Sequence, residues 1–121
     1  MTRLLDTNVL IDALHGIEAA LALIIASPGA AVSMITWIEV LAGARTNADE
    51  RAARAILDTL TIVPISLAVA ETAWRLRRDT RLKLLDSIIL ATARVERIPL
   101  YTRNTKDFDP SDPSIVVPYT I

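Results

Sequence analysis

The sequence predicts an α/β fold, a small parallel sheet covered by helices on both faces. Three observations carry that prediction. Short apolar runs take turns with stretches of helical length in the order strand, helices, strand, helices, strand, helices, strand, strand. The runs lack the apolar–polar alternation of a half-exposed strand, as expected for strands buried on both sides. Several are bounded by proline, at Pro64, Pro99, Pro110, Pro113 and Pro118, so both the strands and the sheet are short.

The first run, Arg3-Leu4-Leu5, ends in Asp6-Thr7-Asn8 and turns amphipathic at once, as a strand does when it passes through a polar loop into a helix. In open α/β sheets ligand groups gather just beyond the carboxyl ends of the strands, where Asp6 falls. Asp6 and Asn8 are equally good helix caps, so the motif alone leaves both roles open. A short helix over 9–14 ends near His15-Gly16, where a cation meets the helix dipole; His15 reads as surface structure. A second helix over 17–25 is stopped by Ser27-Pro28-Gly29. Residues 30–33 form a weakly encoded strand, followed by an apolar helix over 36–44 that Ser33 or Thr36 opens. Its one acid, Glu39, stands among Trp37, Ile38, Val40 and Leu41 with few routes to bulk water. Such an acid calls for a cation, either an arginine or a metal.

A helix over 47–60 keeps its charges on one solvated face, and 61–65 is an extended segment whose Pro64 marks a strand end or a sheet edge. Ser66 caps a long helix reaching about residue 81, with Leu67, Val69, Ala70, Ala73, Trp74 and Leu76 as its buried face. Arg75, Arg77, Arg78, Arg81 and Lys83 make the most basic stretch, either a solvated face or a phosphate-backbone patch beside the cleft. The apolar helix over 84–94 has Asp86 in its first turn, where the dipole favours an acid whatever its function. A strand over 98–102, a polar loop over 103–108 and a last strand over 115–117 complete the chain. No repeat, linker or low-complexity tract interrupts it, and residues 1–121 read as one domain.

Composition narrows the chemistry. There is no cysteine, which excludes disulfides, thiolate metal sites and cysteine nucleophiles, and a single histidine excludes a His-rich zinc site. Any metal must be held mainly by oxygen, which favours magnesium or manganese. Thirteen basic and fourteen acidic residues leave a net charge of −1, so a nucleic acid would be met by a local patch. No apolar run is long enough to span a membrane, and Asp6, Asn8 and Asp12 interrupt any signal-peptide core; the expected location is the cytoplasm. Three acids nevertheless stand where the chain otherwise wants apolar residues: Asp6, Glu39 and Asp86. If the fold gathers them, they repel one another unless a divalent cation keeps them ionised, and carboxylate-held hard cations serve phosphodiester cleavage.

Four segments, Leu5-Asp6-Thr7-Asn8-Val9-Leu10, Ile38-Glu39-Val40-Leu41-Ala42-Gly43, Asp86-Ser87-Ile88-Ile89-Leu90-Ala91-Thr92-Ala93 and Thr102-Arg103-Asn104-Thr105-Lys106-Asp107-Phe108, closely resemble the motifs of PIN-domain proteins. Their order, their spacing and the chain length are similar to those of the VapC-type toxins of toxin–antitoxin systems. The resemblance covers essentially the whole chain. Each motif alone is weak; the four in order are strong. The resemblance implies a three-layer αβα sandwich with about four or five parallel strands, and a magnesium-dependent endoribonuclease in which manganese could replace magnesium. It maps Asp6, Glu39 and Asp86 onto the metal site, with Thr7 orienting the first aspartate or its water. Relatives fill a fourth position with an acid where Asn104 stands, or with the acid of an N-x-x-D-F ending, here Asp107. Asp107 is the favoured supporting acid and Asn104 its hydrogen-bonding neighbour. The implied reaction is in-line attack of an activated water on a backbone phosphorus, with no histidine base. The implied partners are RNA, an antitoxin lying across the cleft, and a second copy of the chain. Two rivals stand beside this reading. One is a PIN-fold module that binds RNA or a partner with weak catalysis, which the uncharged Asn104 favours. The other is a phosphatase-like enzyme, which would need an acid where Asn8 stands.

Overall fold

The computed structural model describes all 121 residues. Five strands, β1 (Leu4–Leu5), β2 (Ala31–Ser33), β3 (Thr61–Val63), β4 (Leu100–Tyr101) and β5 (Ile115–Val116), form one sheet in the order β3-β2-β1-β4-β5. Every neighbouring pair is parallel. The helices are α1 (Thr7–Leu14), α2 (Glu18–Ile25), α3 (Met34–Ala42), α4 (Asn47–Leu57), α5 (Leu67–Asp79) and α6 (Leu84–Glu96). Successive strand residues divide between two cores. Leu4, Ala31 and Leu100 pack with α5 and α6, whereas Leu5 and Val32 pack with α1, α3 and α4. The result is the expected three-layer αβα sandwich, with five strands.

The strand order fixes where a site can form. The chain steps from β1 to β2 to β3 in one direction, then returns to lay β4 and β5 on the other side of β1. The sheet therefore reverses direction between β1 and β4, and the crevice beyond their carboxyl ends opens there. Asp6 follows β1 directly, and Thr102 follows β4. Pro64 closes β3, which lies at an edge as that proline predicts.

Some local expectations shift. Helix α1 begins at Thr7, two residues earlier than the apolar pattern indicates, because Asp6 itself caps it. Helix α4 stops at Leu57, and Leu60 belongs to the turn into β3. Ser33 and Ser66 cap α3 and α5 as read from the sequence. The largest correction concerns α5. Val69, Ala73 and Leu76 face the core, but Leu67 is 77% and Trp74 59% exposed, and Ala70 is exposed too. Apolar residues cover more than half of the helix circumference, and the stripe at spacing 69, 73, 76 is the one buried in the core that α6 shares. His15 is an exposed C-cap residue. No single helix is long and apolar enough to cross a membrane.

Candidate active site

The crevice beyond β1 is an open cleft of about 280 Å³ lined by Asp6, Thr7, Asn8, Glu39, Asp86 and Asn104, among others. Four elements supply it: the end of β1, the start of α1, the middle of α3 and the first turn of α6, with the loop after β4 closing one side. Asp6 is its buried centre, 4% exposed. One carboxylate oxygen accepts the Thr7 main-chain N–H at 2.8 Å, the helix-capping bond. The other accepts the Thr102 hydroxyl at 2.7 Å and the Asn8 side-chain amide at 3.1 Å. No cation pairs with Asp6. Burial pushes its pKa up to about 6, against the pull of the Thr102 and Thr7 bonds, and repulsion from Asp86 and Glu39 adds to the rise.

Glu39 is half-buried, and no arginine or lysine forms an ion pair with it. The Thr7 hydroxyl donates to its Oε1 at 2.9 Å and lies 2.9 Å from the buried Thr36 hydroxyl. Thr7 thus meets Asp6 through its main chain and Glu39 through its side chain. Asp86 is also half-buried, and its pKa is raised by burial first and then by the charge of Asp107, with Lys83 drawing it partly back. Asn104 and Asp107, the two candidates for a fourth position, are hydrogen-bonded to each other. Asn104 faces the cleft and donates its amide to Asp107 Oδ2 at 2.9 Å, while the Asp107 N–H donates back to Asn104 Oδ1 at 3.2 Å. Asp107 lines a neighbouring groove and not the cleft itself, and reaches Asp86 through its charge.

Further residues tie the cleft to the rest of the fold. Thr102 is fully buried and ties β4 to Asp6. Asn8 receives the Arg103 main-chain N–H at 3.3 Å while its amide reaches Asp6, so it bridges the two strand ends. Beneath them lies a second buried acid, Asp12, gripped by Arg103 through Nε at 2.6 Å and a terminal nitrogen at 2.9 Å, and by the Tyr119 hydroxyl at 2.7 Å. Burial works against the Asp12 charge, but the bonds from Arg103 and Tyr119 outweigh it and hold the carboxyl below its usual range. Burial and Asp12 push the Tyr119 phenol up. A hydroxyl just past a strand end, as at Thr102, and an acid on an apolar helix face, as at Asp12, were the available clues.

The donor set could hold a hard cation. It is made of carboxylate, amide and hydroxyl oxygens, and the buried Asp6 has no positive partner of its own. No three carboxylates converge closely enough to grip a bare ion among themselves. A cation here would be held by one or two carboxylates and completed by water.

Architecture and cleft define the class: a small α/β protein with an acidic cleft at the switch point of a parallel sheet. The model of the PIN-domain family matches residues 3–109, and the chain belongs to that family. A toxin–antitoxin complex from Klebsiella pneumoniae contains a chain 45% identical, with a TM-score of 0.91, covering 99% of this chain and 100% of that one. FitAcB from Neisseria gonorrhoeae is 24% identical with a TM-score of 0.79, covering 97% and 98%. A sarcin–ricin loop cleaving VapC toxin from Mycobacterium tuberculosis is 21% identical with a TM-score of 0.59, covering 91% and 92%. These last two share the fold. Comparison with curated proteins returns no significant match. The resemblance to VapC-type PIN toxins carried by the four motifs is borne out.

Proposed function

We propose that the protein is a metal-dependent endoribonuclease and the toxin of a toxin–antitoxin pair. The observation that carries this reading is Asp6: a carboxylate 4% exposed, without a cation, at the switch point of the sheet and in the field of two further acids. A charge placed so is costly unless an ion completes it. Asp6 and Asp86 would hold Mg²⁺, or Mn²⁺, directly or through water, with Glu39 completing the set. When bound, the ion supplies Lewis-acid stabilisation of charge on the phosphoryl oxygens and makes water more acidic. The chain's own residues do the positioning. Thr102, Asn8 and the Thr7 N–H fix both Asp6 oxygens, and the Thr7 hydroxyl fixes Glu39 Oε1, leaving Oε2 free to accept a hydrogen bond from an attacking water. Asn104 holds Asp107, whose charge keeps the Asp86 side of the cleft negative. No histidine takes part; His15 lies at the far end of α1.

The toxin role draws support from the 45% identical chain solved in a toxin–antitoxin complex, and RNA as substrate from the more distant sarcin–ricin loop cleaving relative. A homodimer draws support from the exposed apolar patch between α5 and α6, where Ile65, Ala70, Trp74, Leu84 and Ile88 border a groove of about 350 Å³. The purified protein should cleave RNA with Mg²⁺ and stop on chelation. Asp6→Asn and Asp86→Asn should each lower the rate by about 10³-fold or more with circular dichroism unchanged. Undiminished cleavage by both variants would overturn the site. Binding of RNA or antitoxin without any cleavage would favour the module with weak catalysis.

A further inference from the structure

Threonine hydroxyls beside helices have a habit in this chain. Thr59 donates to the Ile56 carbonyl at 2.7 Å, Thr80 to the Leu76 carbonyl at 2.6 Å and Thr92 to the Ile88 carbonyl at 2.7 Å, each turning its proton back onto the preceding turn. Thr36 does not. It lies in the first turn of α3, where no earlier turn of that helix exists to receive the proton, and it is fully buried. Its side chain meets the Thr7 hydroxyl instead, at 2.9 Å. A buried hydroxyl spent on another hydroxyl 29 residues away, and not on its own main chain, calls for a reason.

Counting protons supplies the direction. The Thr7 oxygen stands 2.9 Å from the Thr36 oxygen and 2.9 Å from Glu39 Oε1, and it carries a single proton. An ionised carboxylate only accepts, so that proton belongs to Glu39. The contact with Thr36 then needs the Thr36 proton, given to a lone pair of the Thr7 oxygen. Turned the other way, the Thr7 oxygen would face the carboxylate lone pair against lone pair, with no proton between them. The chain of bonds therefore runs from Thr36 through Thr7 to Glu39, and each bond polarises the next. Its two ends, Thr36 and Glu39, are one turn apart on the same face of α3, and the first residue of α1 is seated between them.

We propose that Thr36 is a positioning residue for Glu39 and acts through Thr7. It donates to the Thr7 oxygen and so removes the choice of where the Thr7 proton points. Glu39 Oε1 is thereby occupied, and Oε2 is left without a protein donor beside the open cleft. Thr36 itself does not line that cleft, so it touches neither an ion nor a strand of RNA there. Its effect on any reaction must pass through one oxygen. The inference rests on the ribonuclease reading for its kinetic consequence, and adds to that reading the group that sets the orientation of the Glu39 carboxylate.

The test is a double-mutant cycle of Thr7→Val and Thr36→Val, read as Mg²⁺-dependent cleavage of a labelled single-stranded oligoribonucleotide. Valine keeps the branched shape and removes the hydroxyl. Thr36→Val should lower kcat about tenfold with KM little changed, and Thr36→Ser should restore it. The double variant should be no slower than Thr7→Val alone, since Thr36 has nothing to act through once the Thr7 hydroxyl is gone. A second readout needs neither metal nor RNA. In metal-free labelled protein, NMR couplings from the Thr7 methyl carbon to its main-chain nitrogen and carbonyl carbon report the side-chain rotamer. They should show one rotamer in the wild type and in Thr36→Ser, and averaging in Thr36→Val with circular dichroism unchanged. Additive losses in the cycle, a serine that fails to rescue, or a Thr7 rotamer indifferent to Thr36→Val would each overturn the proposal and leave the ribonuclease reading standing. A wild-type protein that cleaves no RNA would overturn the ribonuclease reading, while averaging of Thr7 in Thr36→Val would still uphold the positioning of Glu39.

Discussion

Asp6 and Asp12 lie six residues apart at the start and within the same helix, each 4% exposed, yet they live in opposite electrostatic worlds. Asp12 has a bidentate arginine and a tyrosine hydroxyl, and its carboxyl is held below the usual range. Asp6 has hydroxyl, amide and main-chain donors but no cation, and its pKa rises to about 6. Burial therefore does not mark a functional acid. What separates the two acids is the countercharge: folding supplies one for Asp12 within the chain and none for Asp6.

The sharpest way to break this contrast is to neutralise each acid in turn. Asp12→Asn removes the charge that Arg103 was built around and should destabilise the fold by about 3 kcal/mol in urea titration. Asp6→Asn should do the reverse in chelator at pH 7, raising stability by removing an uncompensated charge. Equal destabilisation by both would erase the distinction. The pH dependence carries the same sign. The folded pKa of Asp6 lies above its unfolded value, so its contribution is fully present below about pH 4 and is lost as pH rises through about 6, by about 3 kcal/mol. In chelator the melting temperature should thus climb as pH falls from 7 to 5, with Asp86 acting in the same direction. Asp6→Asn should flatten that climb, and saturating Mg²⁺ should remove most of it.

A smaller effect separates the donors. Thr102→Val keeps the shape but removes the hydroxyl bond to Asp6, and should cost about 10- to 100-fold in Mn²⁺ affinity and in cleavage rate, with Thr102→Ser restoring both. Loss of stability with unchanged metal affinity would make Thr102 merely structural. Smallest of all, Tyr119→Phe leaves Arg103 on Asp12 and should cost about 1 kcal/mol in urea, with metal binding intact.

The sequence made some of this visible and not the rest, for a physical reason. Asp6, Glu39 and Asp86 were legible because each breaks a local pattern: an acid past a strand end, inside an apolar helix, and at a helix start. The αβα sandwich was legible from the order of its elements and the four motifs. The bonds that organise the site were not, since Thr102 reaches Asp6 across 96 residues and Tyr119 reaches Asp12 across 107. Periodicity also could not choose which apolar stripe of α5 turns inward, so Trp74 and Leu67 were assigned to the core although they face out. That Asn104 faces the cleft and Asp107 does not is set by the loop after β4, whose path no local pattern encodes.

The 96-residue span between Asp6 and Thr102 also sets a clock on synthesis. At ~5–20 residues per second a ribosome needs roughly 5 to 20 s between making the two. Throughout that interval a nascent chain carries its first acid with only the local capping and asparagine bonds, because β4, which must insert beside β1, does not yet exist. Until β4 is made, Asp6 lacks the Thr102 hydroxyl bond, and the strand end beside which the cleft opens is incomplete.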